Sequence, residues 1–87
     1  MTDELEQLRK KVDDVDTQIL NALRKRAELC KRIGSVKKKR GMQIRDTSRE
    51  NEVYNQVKKK AVELNLDSLQ VEAVFREIVN MCSAVQK

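Results

Sequence analysis

The chain has 87 residues, no proline, no histidine, 38% charged residues and a formal net charge of +5. This length limits it to one domain, and the composition is typical of an all-α protein. Without histidine, an imidazole base and a Cys/His zinc site are both excluded. No apolar run approaches the roughly 20 residues of a membrane span, and we expect neither a signal peptide nor a membrane association, hence a cytoplasmic protein.

Apolar side chains at helical spacing predict a first helix over about residues 3–40. Thr2 or Asp3 can cap its start, and Gly41 is a typical residue to end it. Gly34 is the one weak position inside it, costing about 1 kcal/mol relative to alanine. At 1.5 Å per residue this helix is about 55 Å long, which is much longer than a domain of this size needs.

Cationic side chains lie within the apolar stripe of this helix. On a helical wheel, Arg26 and Lys37 fall within about 40° of the stripe's axis, and Arg9 lies along one edge. A charge among apolar groups must be paired, or it costs several kcal/mol. Carboxylates of the protein can pair these cations, or the side chains can extend to water. The alternative is that an anionic ligand supplies the missing charge.

A second helix is predicted over about residues 47–64. Its start has the T-x-x-E form of a capping box, from Thr47 to Glu50. The apolar stripe of this helix, continued backward, runs through Glu50. This carboxylate therefore either caps the helix or serves a function on the buried side.

The third helix is predicted over about residues 68–86, with Asp67 or Ser68 as its cap. Gln86 lies along one edge of its apolar stripe. A glutamine so close to a C-terminus is ordinarily exposed to solvent, and from the residues alone we expect that here.

The long first helix predicts a homodimer. The two shorter helices are each roughly 27 Å long and cannot cover its stripe, so a monomer would expose a large apolar patch. Pairing two long helices about a two-fold axis removes that patch. Arg9 is about 42 Å from Lys37 along the helix. If two antiparallel copies cross near Leu20, Arg9 of the partner subunit comes beside the interval between Arg26 and Lys37.

The basic charge also raises the question of nucleic acid. Much of the excess charge lies at residues 37–40 and 58–60, near helix ends, where cations complement the helix dipole. There is no aromatic stacking platform and no helix-turn-helix signature, so we expect no nucleic-acid partner. Cys30 and Cys82 occupy helical apolar positions and are interpreted as free thiols in a reducing compartment.

An ordered set of residues runs through the whole chain: Leu8-Arg9-Lys10-Lys11-Val12-Asp13 leading to Asp16, then Arg26, Lys37, Ile44-Arg45-Asp46-Thr47-Ser48-Arg49-Glu50, and Gln86. This set resembles the all-helical chorismate mutases, in their small intertwined-dimer form. The resemblance implies a Claisen rearrangement of chorismate to prephenate, which serves phenylalanine and tyrosine biosynthesis. It also implies an isomerase that needs no cofactor, metal or covalent intermediate.

The resemblance further implies roles for individual residues at the first and third helices. Arg26, together with Arg9 of the partner subunit, would bind the two substrate carboxylates through the bidentate guanidinium fork. Lys37 would reach the ether oxygen and a carboxylate. Gln86 would donate to the ether oxygen from the other side, which requires it to be buried and not solvent-exposed.

Three implied roles lie at the start of the second helix. Glu50 would accept a hydrogen bond from the substrate hydroxyl, Asp46 would support that contact and the site entrance, and Arg49 would help hold the carboxylate side of the pocket. Position 82 would hydrogen-bond a substrate carboxylate, so Cys82 completes the predicted set of eight site residues. Here the chain departs from the family pattern: relatives have serine, a thiol is a weaker donor than a hydroxyl, and the backbone N–H is the alternative donor. Asn80 also stands where some relatives have an acid.

Two alternatives stay open at this point. An isochorismate-pyruvate lyase has the same fold and a similar cationic pocket, although Asp46 together with Glu50 favours the mutase. The other alternative is a non-catalytic, basic helical dimerisation module. In that case Arg26→Ala would be neutral or stabilising, because it removes a buried charge.

Overall fold

The structure is a computed structural model that describes residues 3–87. Its three helices are α1 (Glu4–Lys39), α2 (Thr47–Glu63) and α3 (Ser68–Gln86), with no strand in the described part of the chain. The predicted all-α, three-helix fold is confirmed. The alternative cap Thr2 lies outside the described residues.

An aspartate caps the start of every helix. Asp3 accepts a hydrogen bond from the backbone N–H of Leu5, and Asp67 accepts from two backbone N–H groups in the first turn of α3. At α2 the cap is Asp46, whose Oδ1 accepts from the backbone N–H of Arg49 at 3.1 Å. The predicted Thr47 capping box is therefore wrong, because the residue one position earlier already satisfies the free donor.

The first two helices end in the same way. Gly41 follows α1 with φ +66°, and Asn65 follows α2 with φ +59°, both left-handed conformations. In each case the next residue donates back into the helix: Met42 to the carbonyl of Lys37 and Leu66 to that of Ala61, both at 2.8 Å. This is the Schellman arrangement, and it confirms Gly41 as the terminator of α1.

Helix α3 lies between the other two. It packs against α1 and against α2, whereas no Cα of α1 comes within 8 Å of a Cα of α2 over their described ranges. Gly34 and Lys37 meet Gln86. About two to three turns earlier on α1, Arg26 meets Cys82, which is about one turn earlier on α3. The two helices therefore run in the same direction. The buried core is small and consists of Cys30, Tyr54, Ala61, Val79 and Cys82.

The N-terminal half of α1 projects away from this core. All residues from 3 to 22 are exposed, and the chain measures 61 × 24 × 15 Å. Its radius of gyration, 16.6 Å, compares with about 12 Å for a compact chain of this length. Five apolar side chains on the projecting half are 50–57% exposed: Leu5, Leu8, Val12, Val15 and Ile19. None of the three helices combines the length and apolar character of a membrane span.

Candidate active site

A pocket of about 420 Å³ opens between the C-terminal half of α1, the connector to α2, the start of α2 and the end of α3. It brings together seven of the eight site residues predicted from the sequence: Arg26, Lys37, Asp46, Arg49, Glu50, Cys82 and Gln86. Arg9 is the exception. It lies on the projecting half of α1, about 26 Å from Arg26 at 1.5 Å per residue.

Arg26 reaches into the pocket from α1 and meets sulfur. Its Nη1 donates to Cys82 Sγ at 2.7 Å and lies 3.9 Å from Cys30 Sγ. Cys82 thus accepts a hydrogen bond from the guanidinium. In this role the thiol acts as an acceptor, so its weakness as a donor does not matter. Both cysteines are free thiols, as predicted.

Lys37 lies at the opposite end of the pocket and holds Gln86. Its Nζ donates to Gln86 Oε1 at 3.0 Å and to the carbonyl oxygen of Ile44 in the connector. With Oε1 engaged in this way, the amide of Gln86 directs its Nε2 donor elsewhere. Gln86 is half-buried, so the expectation that it is exposed to solvent is wrong.

Gly34 makes this contact between α1 and α3 possible. A Cβ built at Gly34 would lie 2.9 Å from both Cα and O of Gln86 and 3.0 Å from its Cβ. Only a residue without a side chain allows α3 to approach α1 so closely one turn before Lys37. The glycine predicted as a weak point in the helix therefore has a packing role.

The two pocket cations of α1 have no carboxylate partner in the part of the chain that the structure describes. Among residues 3–87, Arg26 and Lys37 form no ion pair with a carboxylate, since the four ion pairs present involve other side chains. Both cations are half-buried and line the pocket. The interpretation that the protein's own carboxylates pair with them is therefore wrong for this part of the chain.

The start of α2 forms the acidic wall of the pocket. Both carboxylate oxygens of Glu50 accept from Arg45, at 2.8 Å from Nε and 2.9 Å from Nη2. The capping role considered for Glu50 is therefore wrong. Arg49 points to the rim, where its Nη1 lies 3.1 Å from Glu52 Oε2. Asp46 lines the pocket while it caps the helix.

Arg45 is a residue that sequence reasoning missed. It belongs to the stretch that carries the resemblance. The only feature of the sequence that pointed to an ion pair with Glu50 is the five-residue spacing between them. The hydrogen bond to Glu50 raises the pKa of Arg45 above its usual value. The guanidinium is therefore a permanent cation beside this carboxylate.

Cys30 is a neutral thiol at neutral pH. Burial, followed by its hydrogen bond and electrostatic interaction with Cys82, raises the pKa of Cys30 above its usual value, although Arg26 and Lys37 act in the opposite direction. Within residues 3–87, no three His, Cys, Asp or Glu side chains group closely enough to hold a metal ion.

The fold and the pocket together define a class: an all-α protein whose pocket has cations on one side and carboxylates on the other. The cations Arg26 and Lys37 line its α1 side, and the carboxylates Asp46 and Glu50 line its α2 side. The sequence pattern of the chorismate mutase type II family matches residues 8–87. The chain belongs to this family, as the resemblance predicted.

Individual relatives agree with this assignment. A chorismate mutase of Methanocaldococcus jannaschii is 31% identical over 87 residues, covering the whole chain and 88% of that protein. A bifunctional chorismate mutase/prephenate dehydratase of Aquifex aeolicus is 35% identical over 98% of the chain, which spans only 24% of that relative's length. A solved structure, a conserved hypothetical protein from Pyrococcus furiosus, is 32% identical with a TM-score of 0.77, and both chains are fully covered.

Proposed function

We propose that the chain catalyses the rearrangement of chorismate to prephenate in aromatic amino acid biosynthesis, as a cytoplasmic homodimer. Membership of the chorismate mutase type II family supports the activity. The observation that carries it is the pair of half-buried cations, Arg26 and Lys37, which line the pocket without a carboxylate partner within residues 3–87. A dicarboxylate substrate would supply the negative charge that neutralises these two cations.

The reaction needs no proton transfer. The ether C–O bond breaks while a new C–C bond forms within the same molecule, and partial negative charge develops on the ether oxygen. The protein therefore accelerates it by holding a compact substrate conformer and by stabilising that charge with fixed donors. A pocket without histidine is well suited to such chemistry.

Each end of the pocket has its own part in this mechanism. Arg26 binds a substrate carboxylate through its guanidinium fork. Lys37 binds a carboxylate and the ether oxygen, and Gln86 donates to the same oxygen through Nε2. The hydrogen bond of 3.0 Å between Lys37 and Gln86 already fixes the orientation of this amide, so little reorganisation is needed as charge develops.

The other wall of the pocket recognises the rest of the substrate. Glu50 accepts from the substrate hydroxyl, and Asp46 supports that contact near the entrance. Arg49 contributes positive charge at the carboxylate side of the rim. Cys82 directs Arg26 by accepting its Nη1 hydrogen, which leaves the other guanidinium hydrogens for the substrate.

Two observations support the homodimer, and one consequence of the proposed dimer agrees with the proposed site. The accessible surface of the chain is 7313 Å², about 2,000 Å² more than a compact monomer of its mass exposes. The exposed apolar residues of α1 from Leu5 to Ile19 alternate at spacings of three and four, the pattern of a helix–helix seam. An antiparallel crossing near Leu20 brings Arg9 of the partner subunit opposite position 31, midway between Arg26 and Lys37.

Purified protein incubated separately with chorismate and isochorismate tests the activity. We expect loss of chorismate absorbance with prephenate as product. Pyruvate release from isochorismate, without prephenate from chorismate, would instead identify the lyase of the same fold. Inactivity towards both substrates would favour the non-catalytic dimerisation module.

Mixing two inactive variants tests the shared site. Chains carrying Arg9→Ala and chains carrying Arg26→Ala, unfolded and refolded together, form mixed dimers with one intact site each. Random pairing then restores about one quarter of the wild-type sites. No recovery of activity, or a monomer by sedimentation, would refute the two-chain site.

A further inference from the structure

We infer that Arg45 is a positioning residue for Glu50, holding this carboxylate in the orientation that receives the substrate hydroxyl. The inference rests on the proposed function and extends it to a side chain outside the pocket lining. Arg45 itself does not touch the substrate.

The geometry is that of a bidentate pair. Arg45 Nε and Nη2 donate to the two carboxylate oxygens of Glu50 at 2.8 and 2.9 Å. Two parallel hydrogen bonds fix the rotation of the carboxylate plane as well as its position. The Glu50 side chain is 18% exposed and that of Arg45 51%, so the guanidinium approaches from the solvent side, while Glu50 is part of the pocket lining.

Asn80 fixes Arg45 in turn. Its Oδ1 accepts from the remaining guanidinium nitrogen, Nη1, at 3.2 Å. The guanidinium therefore joins three parts of the fold: the connector, the first turn of α2 and the middle of α3. This contact gives the side chain at position 80 a partner, and it uses only the oxygen that Asn80 shares with an acid.

A fixed Glu50 matters because of its neighbours. Arg26 and Lys37 line the same pocket from α1, Asp46 and Arg49 from the start of α2, and Cys82 from α3. A carboxylate free to rotate would pair with a cation of α1, which the substrate needs. Engaged with Arg45, each oxygen of Glu50 keeps a lone pair for the hydroxyl, and the cations stay available.

Arg45→Met tests this role. The hydroxyl contact acts on bound substrate and transition state alike, so its weakening raises KM more than it lowers kcat. We expect kcat/KM to fall about tenfold, in line with one weakened charge-assisted hydrogen bond, and most of the fall to be in KM. Asn80→Ala should give a smaller change of the same kind.

Arg76→Met is the matched control. Arg76 also donates two hydrogen bonds to one glutamate, Glu72, at 3.0 and 2.9 Å, and its side chain is 55% exposed. Neither residue of this pair lines the pocket. The control variant should keep wild-type kcat and KM.

The double variant with Glu50→Gln separates positioning from general support of the fold. If Arg45 acts through Glu50, adding Arg45→Met to Glu50→Gln changes kcat/KM less than about twofold. Wild-type kinetics in Arg45→Met, or an equal loss in both backgrounds, would overturn the inference while the wild-type activity stands. An inactive wild-type protein would overturn the proposed function and the inference with it.

Discussion

The close contact between Gly34 and Gln86 predicts that a side chain at position 34 disturbs the site. In Gly34→Ala the new methyl group would lie 2.9 Å from backbone atoms of Gln86, whereas ordinary contact begins near 3.4 Å. Since the obstacle is backbone and not a flexible side-chain tip, α3 must move away by about 0.5 Å, the difference between these distances. A shift of that size along the contact between Lys37 and Gln86 lengthens it from 3.0 Å to about 3.5 Å, the limit of a hydrogen bond.

Two opposing terms decide the stability of this variant. Overpacking costs about 1–3 kcal/mol, and alanine in place of glycine in a helix regains about 1 kcal/mol. The free energy of unfolding should therefore fall by at most about 2 kcal/mol. The activity should fall further, because the displaced amide of Gln86 no longer aims its Nε2 at the proposed position of the ether oxygen. One hydrogen bond to a charged group is worth about 1.5–3 kcal/mol, or roughly 10–100-fold in kcat/KM.

The assay is chorismate turnover at several substrate concentrations, together with urea unfolding of the same preparation. Ser35→Ala is the control: it is exposed on the next position of the same helix, and its hydroxyl makes only a local bond to the carbonyl of Lys31. It should leave kcat unchanged. If Gly34→Ala also keeps wild-type kcat and stability, the reasoning from close helix contact to orientation of the amide is refuted.

Three further predictions concern the pocket. Arg26→Ala should leave a folded protein with kcat/KM lowered about 100-fold or more, and wild-type turnover would contradict its role. Gln86→Ala should lower mainly kcat, because its contact strengthens as the bond breaks; a change in KM alone would argue against that. The raised pKa of Cys30 makes the native state hold its proton more tightly than the unfolded chain, so stability should decline as the pH rises above about 9. Urea unfolding across pH should show a flatter decline in Cys30→Ser.

Helical periodicity was sufficient to predict much of the pocket. Arg26 and Lys37 lie on the apolar stripe of α1, and the spacing of that stripe alone placed both on the buried side. Periodicity did not predict burial where contacts between two helices determine it. From the residues alone, Gln86 is at the end of a chain and belongs in solvent, yet the close approach at Gly34 buries it against Lys37.

The start of α2 shows a different limit. The local T-x-x-E pattern competed with an aspartate one position earlier, and Asp46 makes the cap. Because Glu50 does not cap the helix, its carboxylate is free to accept from Arg45. The guanidinium of Arg45 also donates to Asn80, which lies on another helix. No local rule connects positions 45 and 80. Arg9 is harder still: it lies outside the pocket of its own chain, and its proposed place in the site requires a second chain.

The middle position of α3 has a consequence for substrate choice. Because the backbones of α1 and α2 do not meet over their described ranges, the gap between the two walls of the pocket is set by the bulk of the side chains that α3 places between them. Val79 and Ser83 are buried, uncharged and part of the lining. Their size acts as a spacer, and a smaller or larger side chain at either position would change the width of the pocket between its two charged walls.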